Sequence, residues 1–210
     1  MKKKIILPKK KTATSSMINP DSRLVIVGFD LDYTIRCNSA CEEDIPTMKN
    51  CGLFIDNPNE QRIIKGAKEK TVEFCQYLQD CRDVTIATVF AATNQRAVQK
   101  GHKTLEDCIK EQKITLDLFP RLDYILFCPD DGQTCWRVTK TTVSNVTNEH
   151  LSGSYRKPRA GMLQEASSSL ELNSDLCFFV GDMKSDQKAA QSLGWNFLWA
   201  NDFLKGDFVS

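Results

Sequence analysis

The chain has no long apolar run, no excess of one charge, no Cys-x-x-Cys pair and only two histidines. Each shortage closes off a class of function. Nothing approaches the roughly 20 consecutive apolar residues that cross a bilayer, so a soluble protein with no membrane partner is expected. Lysine and arginine number 28 against 27 aspartate and glutamate, which leaves no global basic field of the kind that marks nucleic-acid binding. Any such surface must be local. The nine cysteines are an odd count, and the N-terminus lacks the apolar run of a signal peptide. A reducing, intracellular compartment is therefore expected, nucleus or cytoplasm. No Gly-x-x-x-x-Gly-Lys-Ser/Thr loop occurs, so no kinase activity is expected. His102 and His150 sit among polar residues, and neither is assigned a role.

What is present is organised around Leu24 to Thr34, where an apolar run of strand length ends in Asp30 and Asp32 and a hydroxyl. Two carboxylates this close repel unless a cation neutralises them, and Mg2+, with its taste for oxygen ligands, suits the task. Alone, Asp-x-Asp is a weak signal, equally compatible with acidic loop residues after a buried strand.

At 210 residues the chain holds one sizeable core. Residues 1–22, with six lysines and then small polar residues up to Pro20, read as a flexible basic tail. A nuclear localisation signal, a loose phosphate-binding arm and a solvated terminus without function all fit it. Residues 23–210 read as the folded domain. Ile35 to Asn59, broken by Pro46, Gly52 and Pro58, reads as a flap or loop beside the acids. Apolar positions from Glu60 to Asp80 recur at helical spacing, and Val84 to Ala92 is a second buried strand running into Thr93, Asn94 and Gln95. A helix over Leu105 to Ile114, a strand over Asp123 to Phe127 and a polar insertion over 129–154 follow. The Asn145-Val146-Thr147 sequon is discounted for want of any sign of secretion. Tyr155 to Met162 carries Arg156, Lys157 and Arg159 around Pro158 and leads into a helix reaching Leu170. Leu176 to Val180 is a fourth strand ending in Gly181 and Asp182, with Asp186 beyond it. A helix over Gln187 to Leu193 and a last strand over Trp195 to Trp199 complete the pattern, and Asn201 to Ser210 is uninformative. Trp136, Trp195 and Trp199 read as core or edge aromatics. Strands alternating with helices predict a parallel sheet with right-handed crossovers. The strand ends then share one edge, where Asp30, Asp32, Thr93, Lys157, Asp182 and Asp186 converge on one pocket.

This ordered set resembles the haloacid dehalogenase (HAD) superfamily of phosphotransferases over about residues 23 to 200. The nearer likeness is to the polynucleotide kinase 3′-phosphatase group, through Phe29-Asp30-Leu31-Asp32, Thr93-Asn94-Gln95, Tyr155-Arg156-Lys157-Pro158 with Gly161-Met162, and Phe179-Val180-Gly181-Asp182. Histidinol-phosphate and heptose-bisphosphate phosphatases share much of the pattern, commonly with a zinc-binding Cys and His cluster before the Arg-Lys-Pro motif. Here Cys128 and Cys135 offer two ligands and no His stands between them, so no zinc is expected. The resemblance implies a Rossmann-like three-layer α/β sandwich with a central parallel sheet and no large cap. It also implies a phosphomonoesterase with Asp30 as nucleophile and Asp32 as acid and base. Mg2+ would be held by Asp30, Asp182 and the backbone carbonyl of Asp32, with Asp186 anchoring Lys157 or the metal's waters. Taken singly, Thr93 is also readable as a turn residue, Lys157 as a surface charge and Asp186 as a helix cap. Thr93 and Lys157 would hold phosphate oxygens, and Asn94, Arg156 and Arg159 would bind substrate, with Lys100 and Lys103 in loops nearby. Tyr33 stands where the family usually has Gly, and either narrows the pocket or stacks on a substrate ring. Thr88 competes with Thr93 as the second-motif hydroxyl, because the approach to Thr93 is about five residues longer than the resemblance suggests.

The implied substrate is a 3′-phosphorylated nucleic-acid end, DNA or RNA, in strand-break repair. A small sugar or amino-alcohol phosphate is the alternative, and an inactive binding scaffold is a third reading. No obligate protein partner is inferred.

Overall fold

The computed structural model describes residues 23–82, 84–168, 170 and 176–208. The expected basic tail over 1–22 lies outside them. Nine strands and five α-helices run in the order β1 (Arg23–Phe29), β2 (Arg36–Asn38), β3 (Gln61–Ile63), α1 (Ala67–Arg82), β4 (Val84–Asn94), α2 (Leu105–Leu118), β5 (Tyr124–Cys128), β6 (Trp136–Val138), β7 (Val143–Asn145), α3 (Gly161–Ser167), β8 (Phe178–Gly181), α4 (Lys184–Gln191), β9 (Asn196–Trp199) and α5 (Ala200–Lys205). Seven strands make one sheet in the order β7-β6-β5-β4-β1-β8-β9, and β2 and β3 pair by themselves. The architecture is the expected three-layer α/β sandwich.

Strand β1 sits at the centre for a reason visible in its residues. From Val25 to Phe29 it is buried throughout, which suits only a strand with neighbours on both edges and cover on both faces. Its two neighbours, β4 and β8, are both parallel to it, so the chain order reverses direction across β1. That switch point is where the crevice of an open α/β sheet forms. Gly28 has Phe90 of β4 on one side and Phe179 of β8 on the other, and the two rings close over the space its side chain would fill. A Cβ on Gly28 would lie 2.7 Å from Phe179 and 2.8 Å from Phe90. Elsewhere Phe29, Phe74, Phe178 and Phe203 pack edge to face. Each fully buried ring contributes roughly 1.5–3 kcal/mol of transfer free energy.

Several boundaries differ from the sequence expectations. The segment over 129–154 is not a structureless insertion: β6 and β7 form an antiparallel hairpin that extends the sheet beyond β5, so the sheet is parallel only over β9 to β5. Its strands are three residues each, too short for alternation to stand out among Ser, Thr and Asn. Trp136 stacks on Phe127 across that edge, and the Arg137 guanidinium sits 4.7 Å from the Tyr124 ring centre. The helix expected from Glu60 begins at Ala67, because Gly66 adopts a φ of 83° and the residues before it pair with β2. Helix α4 starts at Lys184 and not at Gln187, and Asn201 to Lys205 lie within a short helix.

The register of β1 against β4 slips between Val25 and Ile26, where Ile86 and Thr88 are the partners and Ala87 is left over. That bulge absorbs part of the extra length before Thr93. Because the two rings leave no room above Gly28, Gly28→Ala is expected to lower stability by about 1–3 kcal/mol through overpacking. A fall in the urea midpoint with an unchanged slope is the result that checks it.

Candidate active site

At the carboxyl end of β1 the chain turns back on itself at once. The amides of Thr34, Ile35 and Arg36 all donate to the Leu31 carbonyl, and Tyr33 donates to the Arg36 carbonyl. Tyr33 takes a φ of 62° to make this possible, the one non-glycine among the described residues to do so, and glycine is the usual residue for such a backbone. Tyr33 lines the cavity described below, but its phenol does not stand free. It is 6 % exposed, and its hydroxyl donates to the Leu53 carbonyl at 2.6 Å, which ties the 45–56 flap to the turn.

The acids sit at the ends of two strands, β1 and β8, and in the first turn of α4. The Asp30 amide donates to the Val180 carbonyl of β8 at 2.8 Å, which sets Asp30 beside Asp182. Asp186 occupies the third position of α4, where Oδ2 accepts from the Met183 amide at 3.0 Å. A Cβ on Gly181 would lie 2.6 Å from that of Asp186, so only glycine lets the helix turn back so closely. Asp30, Asp182 and Asp186 each place one oxygen within 4.8 Å of the others, and they are the one such group of three among the described residues.

Lys157 lies between them. Its ammonium, 3 % exposed, donates to Asp30 Oδ1 at 2.5 Å, to the Ala92 carbonyl at 2.7 Å and to Asp186 Oδ1 at 2.7 Å, using all three N–H bonds. It also sits 5.2 Å from the Phe179 ring centre. Asn94 holds the lysine backbone in a two-way exchange: its amide donates to the Lys157 carbonyl and accepts from the Lys157 N–H, each at 3.0 Å. Asn94 thus holds the Lys157 backbone, and it also lines the cavity in which the sequence reading put it.

Burial works against every charge here. It pushes the Asp30 carboxyl well above the usual range, against the pull of Lys157 and with the other carboxylates adding to it. Asp182 is pushed up to about 7, by burial first and then by Asp186. Burial alone would favour a neutral Lys157, but Asp186 and Asp30 outweigh it and hold the ammonium charged far above its ordinary range.

Asp32 does not join the three-oxygen group. Its Oδ1 accepts from Arg36 Nε at 2.8 Å and its Oδ2 from Gln95 Nε2 at 3.2 Å. Thr93, at the end of β4, is buried, lines the same cavity and accepts from Gln95 at 3.1 Å. Thr88, its competitor, donates to Asp123 Oδ2 at the opposite end of β5, five residues or roughly 17 Å of strand away. Arg156 lines the cavity, and its Nη1 is buried without a hydrogen-bond partner among the described residues. Burial, with Arg96 and Arg159 nearby, lowers its pKa. Arg159, expected beside it at the substrate, donates to the Asp131 carbonyl and lies outside the cavity lining. Lys100 and Lys103 line the wall.

The cavity is 650 Å³ and opens between the acids and the flap. Its lining includes three cations, Arg96, Lys100 and Arg156, and the apolar side chains of Met48, Leu53, Phe54 and Met183, which are four of the five exposed large hydrophobic side chains among the described residues.

The family model described as polynucleotide kinase 3 phosphatase matches residues 25–208. The chain belongs to this family. It is a HAD-superfamily phosphatase, a phosphoric monoester hydrolase. A D-glycero-alpha-D-manno-heptose-1,7-bisphosphate 7-phosphatase of Campylobacter jejuni is 29% identical over 173 residues, covering 77% of this chain and 89% of its own length. Among solved structures, the fold is shared with a protein described as a HAD-like phosphatase from Mesorhizobium loti (TM-score 0.58, 17% identity, covering 92% of this chain and 90% of that one). It is shared also with a D,D-heptose 1.7-bisphosphate phosphatase from B. bronchiseptica that holds magnesium and phosphate (TM-score 0.50, 19% identity, covering 83% and 78%).

Sequence reasoning quoted Gln95 only as part of the Thr93-Asn94-Gln95 motif, and it missed Arg36 and Glu111, which stand around Asp32 and inside the fold. The one signal for Arg36 was its tight spacing to Asp32, and Glu111 had none. Between Cys128 and Cys135, the two cysteines weighed above as zinc ligands, stands Asp130. Asp130 Oδ1 accepts from the amides of Gly132, Gln133 and Thr134, and Oδ2 from the Thr134 hydroxyl. Burial opposes its charge, but these donors lower its pKa. A lowered carboxylate pKa stabilises the fold above the unfolded value, near 3.9, and that contribution fades as pH falls through the folded value below it. Asp130→Ala is therefore expected to cost about 1–2 kcal/mol at pH 7, with the gap to the native chain closing below about pH 4 in acid-titrated urea unfolding.

Proposed function

We propose that this phosphatase removes the 3′-phosphate from nucleic-acid ends, most simply DNA, through an aspartyl-phosphate on Asp30. The observation that carries the reading is the mixed lining of the cavity, in which Arg96, Lys100 and Arg156 and a set of exposed apolar side chains accompany the acids. A nucleotide end presents partners for both, an anionic backbone and an unstacked base with an apolar face. A sugar bisphosphate offers the first but has nothing to cover Phe54, which is 64% exposed. The product, a 3′-hydroxyl, is what extension or ligation of a broken strand needs.

The residues fit a hard divalent cation. Asp30, Asp182 and Asp186 supply oxygens only, close enough to share one ion. With all three ionised against one ammonium, two negative charges remain (three minus one), the charge of one Mg2+. When bound, the ion neutralises the phosphoryl oxygens so that an anionic carboxylate approaches a dianionic phosphate. The resemblance also adds the backbone carbonyl of Asp32 to the ligands.

The chain's own groups then do the following. Lys157 and Thr93 orient the transferring oxygens, with Lys157 as a point charge. An Asp30 oxygen forms the bond to phosphorus as the bond to the leaving oxygen breaks, and Asp32 gives its proton to that oxygen. Asp32, now a carboxylate, takes a proton from the water that attacks the aspartyl-phosphate. The phosphorus–Asp30 bond breaks, and inorganic phosphate leaves with Asp30 and Asp32 restored. General acid and base help supplies only about 10²- to 10⁴-fold, so the covalent and electrostatic contributions of Asp30, Lys157 and the cation carry most of the acceleration.

A second reading has its own support. The named curated relative is a heptose-bisphosphate phosphatase, and a small sugar bisphosphate would meet the same acids. Phosphate release from a 3′-phosphorylated oligonucleotide, its 5′-phosphorylated twin and heptose 1,7-bisphosphate separates the two. Preference for the 3′ end, lost on chelation with EDTA and in Asp30→Asn, is the expected result, and a preference for the sugar would give the second reading the site. Phe54→Ala is expected to raise KM for the oligonucleotide by about 5- to 100-fold, the worth of one base stacking contact, while leaving p-nitrophenyl phosphate turnover within about twofold.

A further inference from the structure

Behind Asp32 stands a charged cluster that the reaction as described does not use. Arg36 is wholly buried, and so is Glu111 of α2. Arg36 Nη2 donates to Glu111 Oε1 at 2.5 Å, and Nη1 to Thr115 Oγ1 at 2.6 Å, with Gln112 and Gln61 farther off at 3.3 and 3.4 Å. The second Glu111 oxygen pairs with Lys103, itself 4% exposed and on the cavity wall. The remaining face of the guanidinium, Nε, points at Asp32 Oδ1. Two cations and two carboxylates therefore balance, and Asp32 is the one member with substantial exposure, at 39%.

Burying such a cluster is a poor way to gain stability, since desolvation cancels most of the attraction. It is a good way to hold one oxygen still. The guanidinium is a rigid planar fork, locked on the far side by Glu111 and Thr115, so the Asp32 carboxylate is held from behind. The turn described above, closed by Tyr33 and the Leu31 carbonyl, brings residue 36 back under residue 32. Nothing at the sequence level marks α2 as part of the site, and the contact spans 75 residues.

We propose that Arg36, braced by Glu111, is the positioning residue for Asp32: it orients the carboxylate that gives and takes the proton. This rests on the acid and base role assigned to Asp32 above. A residue acting only through Asp32 has a kinetic signature that a structural residue lacks. Its loss should slow esters whose leaving group needs a proton and spare one whose leaving group does not, and it should add nothing once Asp32 is gone.

The test uses the full chain with Mg2+, comparing glycerol 2-phosphate with the first-turnover burst of p-nitrophenol from p-nitrophenyl phosphate. Arg36→Met is expected to lower kcat on the alkyl ester by about 100-fold, the lower part of the range for a lost general acid, with KM and the burst changed by no more than about twofold. In an Asp32→Asn background the same substitution should cost less than about twofold. Arg36→Lys keeps a buried cation for Glu111 but lacks the fork, so it should fold if Arg36→Met does not and show the same split. Equal losses on both esters that persist in the Asp32→Asn background would overturn the positioning role while leaving Asp32 as acid and base. Full alkyl-ester turnover by Asp32→Asn would overturn the acid and base reading, and this proposal with it.

Discussion

Three carboxylates have to coexist within 4.8 Å at the edge of a buried sheet, and most of what surrounds them follows from that constraint. Removing them from water raises the proton affinity of Asp30 and Asp182, and only a fixed cation offsets this. Lys157 meets the need for Asp30 and Asp186 at once, with its third N–H on the Ala92 carbonyl. Asp182 is left without a salt bridge among the described residues. A divalent ion joining the three oxygens would complete the balance that one lysine leaves short.

The lysine holds this position because the sheet builds it a frame. Asn94 pins its backbone from the end of β4, and the Phe179 ring lies beneath its ammonium. Gly181 lets α4 begin close enough for Asp186 to reach it. Each of these residues serves the site through contacts that also close the core. Stability and chemistry are thus written on the same positions around the β1 switch point.

The periphery is organised differently. The 45–56 flap is hung from Tyr33 by one hydrogen bond to Leu53 and carries apolar side chains to the cavity mouth. The loop after β5 is gathered around Asp130 by backbone donors. The three carboxylates, by contrast, sit at the ends of β1 and β8 and in the first turn of α4, held by the sheet itself.

The sequence by itself determined the architecture and the acidic motif, because both depend on short-range patterns. Buried strands read as apolar runs, Asp30, Asp32, Thr93 and Asp182 stand at or just past their ends, and Lys157 stands next to a proline ahead of a helix. Only the tertiary structure decided the rest. It separated Thr93 from Thr88, since a bulge at Ala87 and the partner Asp123 are long-range facts. It turned Asn94 toward the Lys157 backbone and Arg159 away from the cavity. It raised the β6–β7 hairpin out of a stretch whose polar composition hid three-residue strands. It also brought Arg36, Glu111 and Lys103 together behind Asp32, across separations that no local period encodes. A pattern of 2 or 3.6 residues reports which face of an element is buried. The partner of a buried charge depends on how separate elements pack, and that is settled only when they meet.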